Sequence, residues 1–299
     1  MINPYLLDTP AVVSFSGGRT SAYMLWHILD AHGGTLPDGV KVVFCNTGRE
    51  MRATLDFVER CSQQWGVEIV WLEYRGEPKN RPLGKARNGR PESFSDHSFA
   101  IVDYATASRE GEPFEQVVQA RHGRLPNFGH RFCTAELKER TKQRYMLSLG
   151  FDWYHNAIGF RADETKRVTK SIRNCPNHEE LTFPLHAAGV SRPDVLAWWG
   201  RQPFDLELAG EWEGNCDGCF LKSAGKILRM CQDHQDRMRW WAEQERKAAE
   251  VPGIEDARFF RIDRPPYRVQ LELAQRPGLF DDFDADAEDL LSVACHCTD

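Results

Sequence analysis

Ten residues near the N-terminus, Val12-Val13-Ser14-Phe15-Ser16-Gly17-Gly18-Arg19-Thr20-Ser21, constrain the fold more than any other part of the chain. The apolar start reads as a buried strand, the Gly-Gly pair as a tight turn, and Ala22-Tyr23-Met24-Leu25-Trp26 as the opening of a helix. A glycine turn between strand and helix aims backbone N–H groups at one spot, where the helix N-terminus adds partial positive charge. The hydroxyls of Ser14, Ser16, Thr20 and Ser21 add donors, so the segment suits an anion such as phosphate. The Walker A spacing GxxxxGK[ST] is absent. An ordinary glycine turn in a βα unit is the plainer reading of the same residues.

The pattern after this loop predicts an α/β, doubly wound parallel sheet. Val40–Phe44 reads as a second strand, ending at Cys45-Asn46-Thr47-Gly48-Arg49-Glu50. A helix follows over about 52–65, then a third strand at Glu68–Leu72. In such sheets ligands sit at the carboxyl ends of the strands, where the glycine loop and Asn46-Thr47-Gly48 both fall. Residues 75–98, rich in Arg, Pro, Gly and Asn, read as a long loop that would serve as a lid. Helical patterns follow near 99–109, 113–121 and 134–149, then a strand at 152–158, for about five strands in all. Beyond Asp194 the chain turns helical and Trp-rich, with one helix predicted over 224–249. Its tryptophans read as core rather than as a stacking platform.

The loop resembles SGGxxS, the pyrophosphate loop of the adenine-nucleotide alpha-hydrolase superfamily, also called PP-loop ATP pyrophosphatases. That superfamily includes tRNA thiolases and phosphoadenosine phosphosulfate reductases. Phe44-Cys45-Asn46-Thr47-Gly48-Arg49-Glu50 is similar to the reductases' F-x-[ND]-T-G-x-E. The run from Gly159 to Arg167 is similar to their G-x-R-x-x-E-[ST]-x-x-R, and Phe183-Pro184-Leu185 with Asp194–Trp198 to F-P-L…D-V-x-x-[YW].

The resemblance implies that Ser14, Ser16, Gly17, Gly18, Arg19, Thr20 and Ser21 bind pyrophosphate. It puts Asn46, Thr47 and Gly48 near the adenosine, with Gly159 and Arg167 also at the nucleotide. Arg161, a permanently charged fork, would steady the α-phosphate, helped by Lys138 and Glu164. Glu164 and Arg167 also suit an ion pair with each other. Asp163 and Glu50 are candidates to hold Mg²⁺ against the phosphates of ATP.

Nine cysteines, an odd number in a long chain, argue against a disulfide scaffold and for metal or redox chemistry. Asn215-Cys216-Asp217-Gly218-Cys219 is a CxxC on a glycine turn, a pattern shared by redox dithiols, zinc sites and iron–sulfur sites. Cys133 and Cys175 are single cysteines in basic contexts, and with Cys216 and Cys219 they make a possible set of four thiolates for a 4Fe-4S cluster or Zn²⁺. The single–single–CxxC spacing resembles the iron–sulfur branch of the superfamily, in particular its DNA phosphorothioation ATP pyrophosphatases and phage-encoded members. Adenylylsulfate reductases have a Cys-Cys pair where this chain has Phe132-Cys133. Cys45, Cys61 and Cys231 fall in strand or helix patterns and read as small buried hydrophobes. Cys295-His296-Cys297 lies where sulfonucleotide reductases carry a nucleophilic cysteine, although the order E-C-G-x-H is absent.

The net charge is −6, and seven of the 44 acidic residues fall in 280–299, which leaves 37 against 38 basic ones. Residues 75–144 hold 14 basic and 9 acidic residues, a local surplus that suits a nucleotide or nucleic acid. No run approaches the roughly 18 apolar residues of a membrane span, and no signal peptide is evident, so a cytoplasmic protein is expected.

The expected organisation is a PP-loop α/β domain over 1–200, a helical part bearing the CxxC over 201–279, and an acidic tail over 280–299. The expected activity is ATP cleavage to AMP and pyrophosphate that adenylates a substrate for sulfur transfer. DNA or tRNA would be the acceptor and a cysteine desulfurase the sulfur donor. A sulfonucleotide reductase is the alternative, and a nucleotide-binding accessory protein with a structural metal is a third reading.

Overall fold

The apolar runs of the sequence become strands in the computed structural model, which describes residues 3–76 and 97–276. Strand β1 (Ala11–Phe15) leads through the glycine turn into α1 (Arg19–Ala31), followed by β2 (Val40–Asn46), α2 (Arg52–Trp65) and β3 (Ile69–Gly76). Strand β4 (His97–Val102) and α3 (Glu112–Ala120) come next. Helix α4 (Phe132–Thr134), a π-helical turn (Ala135–Arg140) and α5 (Thr141–Ser148) then run on without a break. Strand β5 (Tyr154–Ile158), α6 (Thr165–Arg173), β6 (Glu179–Thr182), α7 (Pro184–Ala187) and α8 (Arg192–Trp199) complete the sheet region. Helices α9 (Ala224–Asp233), α10 (Gln235–Ala249) and α11 (Tyr267–Ala274) follow.

The sheet order is β4-β3-β2-β1-β5-β6, with β4 antiparallel to β3 and the other pairs parallel. The connections wind outward in both directions from the β1–β5 pair, so the carboxyl ends of β1 and β5 flank the topological switch point. Side chains alternate along each strand, and both faces are apolar, as strands covered on both sides require. Val13, Phe15, Val42, Phe44 and Trp71 join the cluster filled by α1, α2 and α8. Val12, Val43, Cys45, Val70 and Leu72 face Tyr145 and Met146 of α5. A further cluster holds Phe114 of α3 with Ile227, Trp241 and Leu271 of α9, α10 and α11.

Three sequence expectations are corrected here. Residues 99–102, taken as the start of a helix, belong to an edge strand because residues 97–102 pair with Trp71–Gly76, and the sheet has six strands rather than about five. The helix expected over 224–249 breaks at His234, whose ring bonds Glu213 (2.6 Å) and whose backbone leaves the helical region. The third strand continues to Gly76, so the loop expected over 75–98 is strand at both ends, and its middle, 77–96, lies outside the described residues. Trp199 and Trp241 are core residues, as expected, and so are Cys61 and Cys231, with burial pushing the Cys231 thiol up to about 12.

Glu245 on α10 carries a pH dependence. It is 4% exposed and accepts the backbone N–H groups of Tyr267 (2.8 Å) and Phe260 (3.3 Å). Burial raises its carboxyl to about 7 from 4.5. The folded state therefore holds this proton more tightly than the unfolded chain. The associated stability is fully present below pH 4.5 and is lost as pH rises through about 7. Relative to Glu245→Gln, the wild type is expected to lose on the order of 3 kcal/mol across that window. Urea unfolding of both proteins at several pH values checks it, and parallel stability profiles would contradict it.

Candidate functional site

The glycine loop between β1 and α1 is locked from within. Ser21 Oγ donates to Gly18 O (3.0 Å), receives Ser16 N–H (3.1 Å) and lies 2.9 Å from Ser16 Oγ. Gly17 sits at φ +81°, and a Cβ there would come within 2.8 Å of Thr54 on α2, so both the turn and the packing need glycine. Gly18 caps α1 without a side-chain hydrogen bond, and the first turn carries no acid. The loop thus presents helix N–H groups with no side-chain carboxylate in competition.

Arg19 turns away from this spot. Its guanidinium holds Asp205 through Nε (2.7 Å) and Nη2 (3.0 Å) and also donates to Leu206 O (2.6 Å). Trp199 Nε1 donates to Arg19 O (2.9 Å), so the first turn of α1 is fixed from outside while its N–H end stays open.

Arg161, 6% exposed, approaches the loop from the end of β5 and donates to Thr20 Oγ1 (3.1 Å). It also meets Asp163 (3.2 Å) and Glu164 (3.5 Å). Glu164 pairs with Arg167, whose guanidinium lies 4.2 Å from the centre of the Phe160 ring. The mutual pairing of Glu164 and Arg167 is thus realised. Gly159 brings the β5 end against α1, where a Cβ would stand 3.4 Å from Ser21 Cα.

Beside the loop, on the α5 side of the sheet, lies a cavity of about 220 Å³. Its mouth includes Ser16, Ser21 and Gly159, and its wall includes Lys138 and Lys142 from the stretch containing the π-helical turn. A π turn is often retained where a helix builds a functional site. Deeper in, Lys142 Nζ donates to Ser14 Oγ (3.2 Å) and stands 3.7 Å from Glu179. Ser14 in turn donates to Asn156 Oδ1 (2.8 Å), and Asn156 Nδ2 donates to Glu179 (3.0 Å).

The loop after β2 is built differently from what its position implied. Asn46 is 0% exposed, donates to Glu73 (2.7 Å) and Ser108 O (2.8 Å), and accepts Gly48 N–H (3.1 Å). That uses both amide hydrogens and the carbonyl. Glu50 accepts Thr47 N–H (3.0 Å) and Thr47 O–H (2.9 Å). Thr47 Oγ1 also lies 3.3 Å from Cys216 Sγ, and Glu50 and Cys216 form an antiparallel bridge. The β2 loop and the CxxC turn, about 170 residues apart, are therefore joined.

Asp217, inside the CxxC, ties this junction together. Its fully buried carboxylate receives Arg49 (2.6 Å), Arg237 (2.6 Å), Trp241 Nε1 (2.6 Å) and Gly218 N–H (2.7 Å). Lys222, also buried, donates to Trp212 O and Asp217 O. Burial lowers its ammonium to about 8, against the opposing pull of Cys219, Asp217 and Cys216.

The four candidate metal cysteines are not gathered. Cys219 lies in the α9–α11 apolar cluster, and Cys133 and Cys216 pack against that cluster. Cys175 stands before β6, with its thiol 3.2 Å from Glu179 O. Among the described residues no three His, Cys, Asp or Glu side chains form a group that could hold a metal ion. Cys175 stands apart from the other three, so the four thiols as placed form no 4Fe-4S or zinc ligand set, and no step below passes through a cluster. Glu50 is engaged by Thr47, whereas Asp163 keeps 45% of its side chain exposed beside Arg161. Cys295 and Cys297 lie outside the described residues.

No protein-family model matches the chain. An uncharacterized nin-region protein, ORF290, of Escherichia phage lambda is 33% identical over 229 residues, covering 76% of this chain and 71% of the phage protein. The chain belongs to the family of that phage protein. Among solved structures, the U34-tRNA thiolase NcsA of Methanococcus maripaludis, with its [4Fe-4S] cluster, aligns over 97% of this ORF290-family chain and 81% of its own, at 14% identity and TM-score 0.37. The phosphoadenylyl-sulfate reductase of Candida auris, in a phosphate complex, aligns over 64% and 72%, at 16% identity and TM-score 0.35. Likenesses at that level do not bear on activity.

Lys142, Asn156, Glu179 and Asp217 are the site residues that sequence reasoning missed. Lys142 had a signal, since it stands four residues after Lys138 in a helical pattern. Asn156 and Glu179 had none, because a polar side chain within a strand declares its face only once the register is known. No described helix is long and apolar enough to cross a membrane.

Proposed function

We propose that the chain is a nucleotide-dependent enzyme that cleaves ATP between the α- and β-phosphates. The observation that carries this reading is the locked glycine loop with an uncapped helix N-terminus, opening on a cavity at the switch point of the sheet. The β- and γ-phosphates would take the N–H groups of residues 17–20, on the loop that the Ser16 and Ser21 hydroxyls hold in shape. An acceptor oxygen would bond to the α-phosphorus while the bond to the α–β bridging oxygen breaks, and pyrophosphate would leave with that electron pair. Lys138 and Arg161, which stand at the two sides of the loop, would offset the charge that moves onto the leaving group. Mg²⁺, with Asp163 as a protein ligand, would neutralise phosphate charge when bound.

The acceptor in this reading is nucleic acid, DNA or tRNA. Support comes from α6, which lines the cavity through Lys170 and keeps Lys166, Lys170 and Arg173 exposed. These residues suit a phosphodiester backbone. Sulfur transfer to the adenylated acceptor, fed by a cysteine desulfurase, would follow. The test is to incubate anaerobically purified full-length protein with α-labelled ATP and Mg²⁺, with and without DNA or tRNA. AMP and pyrophosphate are expected, with turnover raised by one polymer. ADP and orthophosphate, or no cleavage under any condition, would overturn the reading.

A further inference from the structure

We infer that Lys142 and Glu179 form the pair that reads the nucleotide base, an assignment that rests on the nucleotide reading above. A ligand whose polyphosphate sits on the glycine loop can send its remaining part into the adjoining cavity. The cavity is lined on the sheet side by Val43, Cys45, Ile158 and Leu181. These side chains come from one face of β2, β5 and β6 by register and form an apolar surface for a planar ring.

The polar groups beside that surface are fixed in orientation. Ser14 holds the Asn156 carbonyl, so the Asn156 amide nitrogen points to Glu179. Lys142, 7% exposed, is placed between Ser14 and Glu179. An ammonium has three donors and a carboxylate about four lone-pair sites, and these contacts use only part of that capacity. A donor and an acceptor thus stand side by side at a ring-sized cavity. Their complement is a heteroaromatic edge with an amino group next to a ring nitrogen, the amine donating to Glu179 and the nitrogen accepting from Lys142. Asn46, which the family resemblance put near the adenosine, spends both amide hydrogens on Glu73 and Ser108 O and accepts Gly48 N–H.

The test titrates the full chain with three ligands: inorganic tripolyphosphate, the α,β-methylene triphosphate of adenosine, and that of purine riboside, which lacks the amino group. The wild type should bind the adenosine analogue at least tenfold more tightly than the purine riboside analogue. Glu179→Gln and Lys142→Met should each weaken the adenosine analogue tenfold or more and leave tripolyphosphate within about twofold, which also shows that the loop is still folded. Equal loss for tripolyphosphate and the nucleotide, or no loss for either, overturns the pair. Equal affinity of the wild type for the two nucleotides does so without any substitution. If the wild type binds neither nucleotide nor tripolyphosphate, the nucleotide reading itself falls and this assignment falls with it.

Discussion

Asp217→Ala is expected to cost about 3–5 kcal/mol of folding free energy, the range for removing one partner of a buried charge pair. The substitution deletes one fully buried carboxylate that holds Arg49, Arg237, the Trp241 indole and the Gly218 N–H. Arg49 is 2% exposed and would keep its charge in the interior. Arg237 is partly open to solvent and contributes less to the loss. Against a typical total of roughly 5–15 kcal/mol, such a change leaves the chain near its threshold. Urea unfolding of wild type and variant is the measurement. A difference below about 1 kcal/mol would mean that the two arginines find water or other partners.

Gly17→Val is expected to abolish nucleotide use with a smaller effect on stability. The backbone at φ +81° is costly for a β-branched residue, and the new Cβ meets Thr54 (2.8 Å), Phe44 (3.1 Å) and Val58 (3.2 Å) in the packed interface with α2. The interface belongs to the sheet core, so the loop is the part that yields. A shift of about 1 Å in the groups that orient a reacting phosphate costs on the order of 10²-fold in rate. The predicted result is therefore at least a hundredfold loss of ATP turnover, with overpacking costing about 1–3 kcal/mol in urea. Wild-type turnover in the variant would remove the loop from the site.

The β1–loop–α1 unit, β2, α2, β5 and the doubly wound order were legible in the sequence because each is a local pattern. Apolar runs mark the strands, Gly17-Gly18 marks the turn, and spaced apolar residues such as Leu55, Phe57 and Val58 mark the helix. Strand β4 was hidden because nothing local separates His97–Val102 from a helix start, and its pairing with β3 decides it. The candidate site divides the same way. The strand–turn–helix form of the loop was carried by its spacing. Arg19 faces Asp205, Asn46 is consumed by Glu73, and Arg49 meets Asp217 across contacts spanning 186, 27 and 168 residues. The thiolate set was read from residue type, whereas the fold packs Cys175 by β6 and the CxxC against α9–α11.

The central claim, that the β1–α1 loop cradles the pyrophosphate end of a nucleotide, is tested most directly by a crystal structure with the α,β-methylene analogue of ATP. The β- and γ-phosphates should lie within hydrogen-bond distance of the N–H groups of residues 17–20, with Ser16 and Ser21 alongside and the base in the cavity by Lys142 and Glu179. A triphosphate bound away from the loop, with the N–H groups of α1 facing only water, would contradict the account.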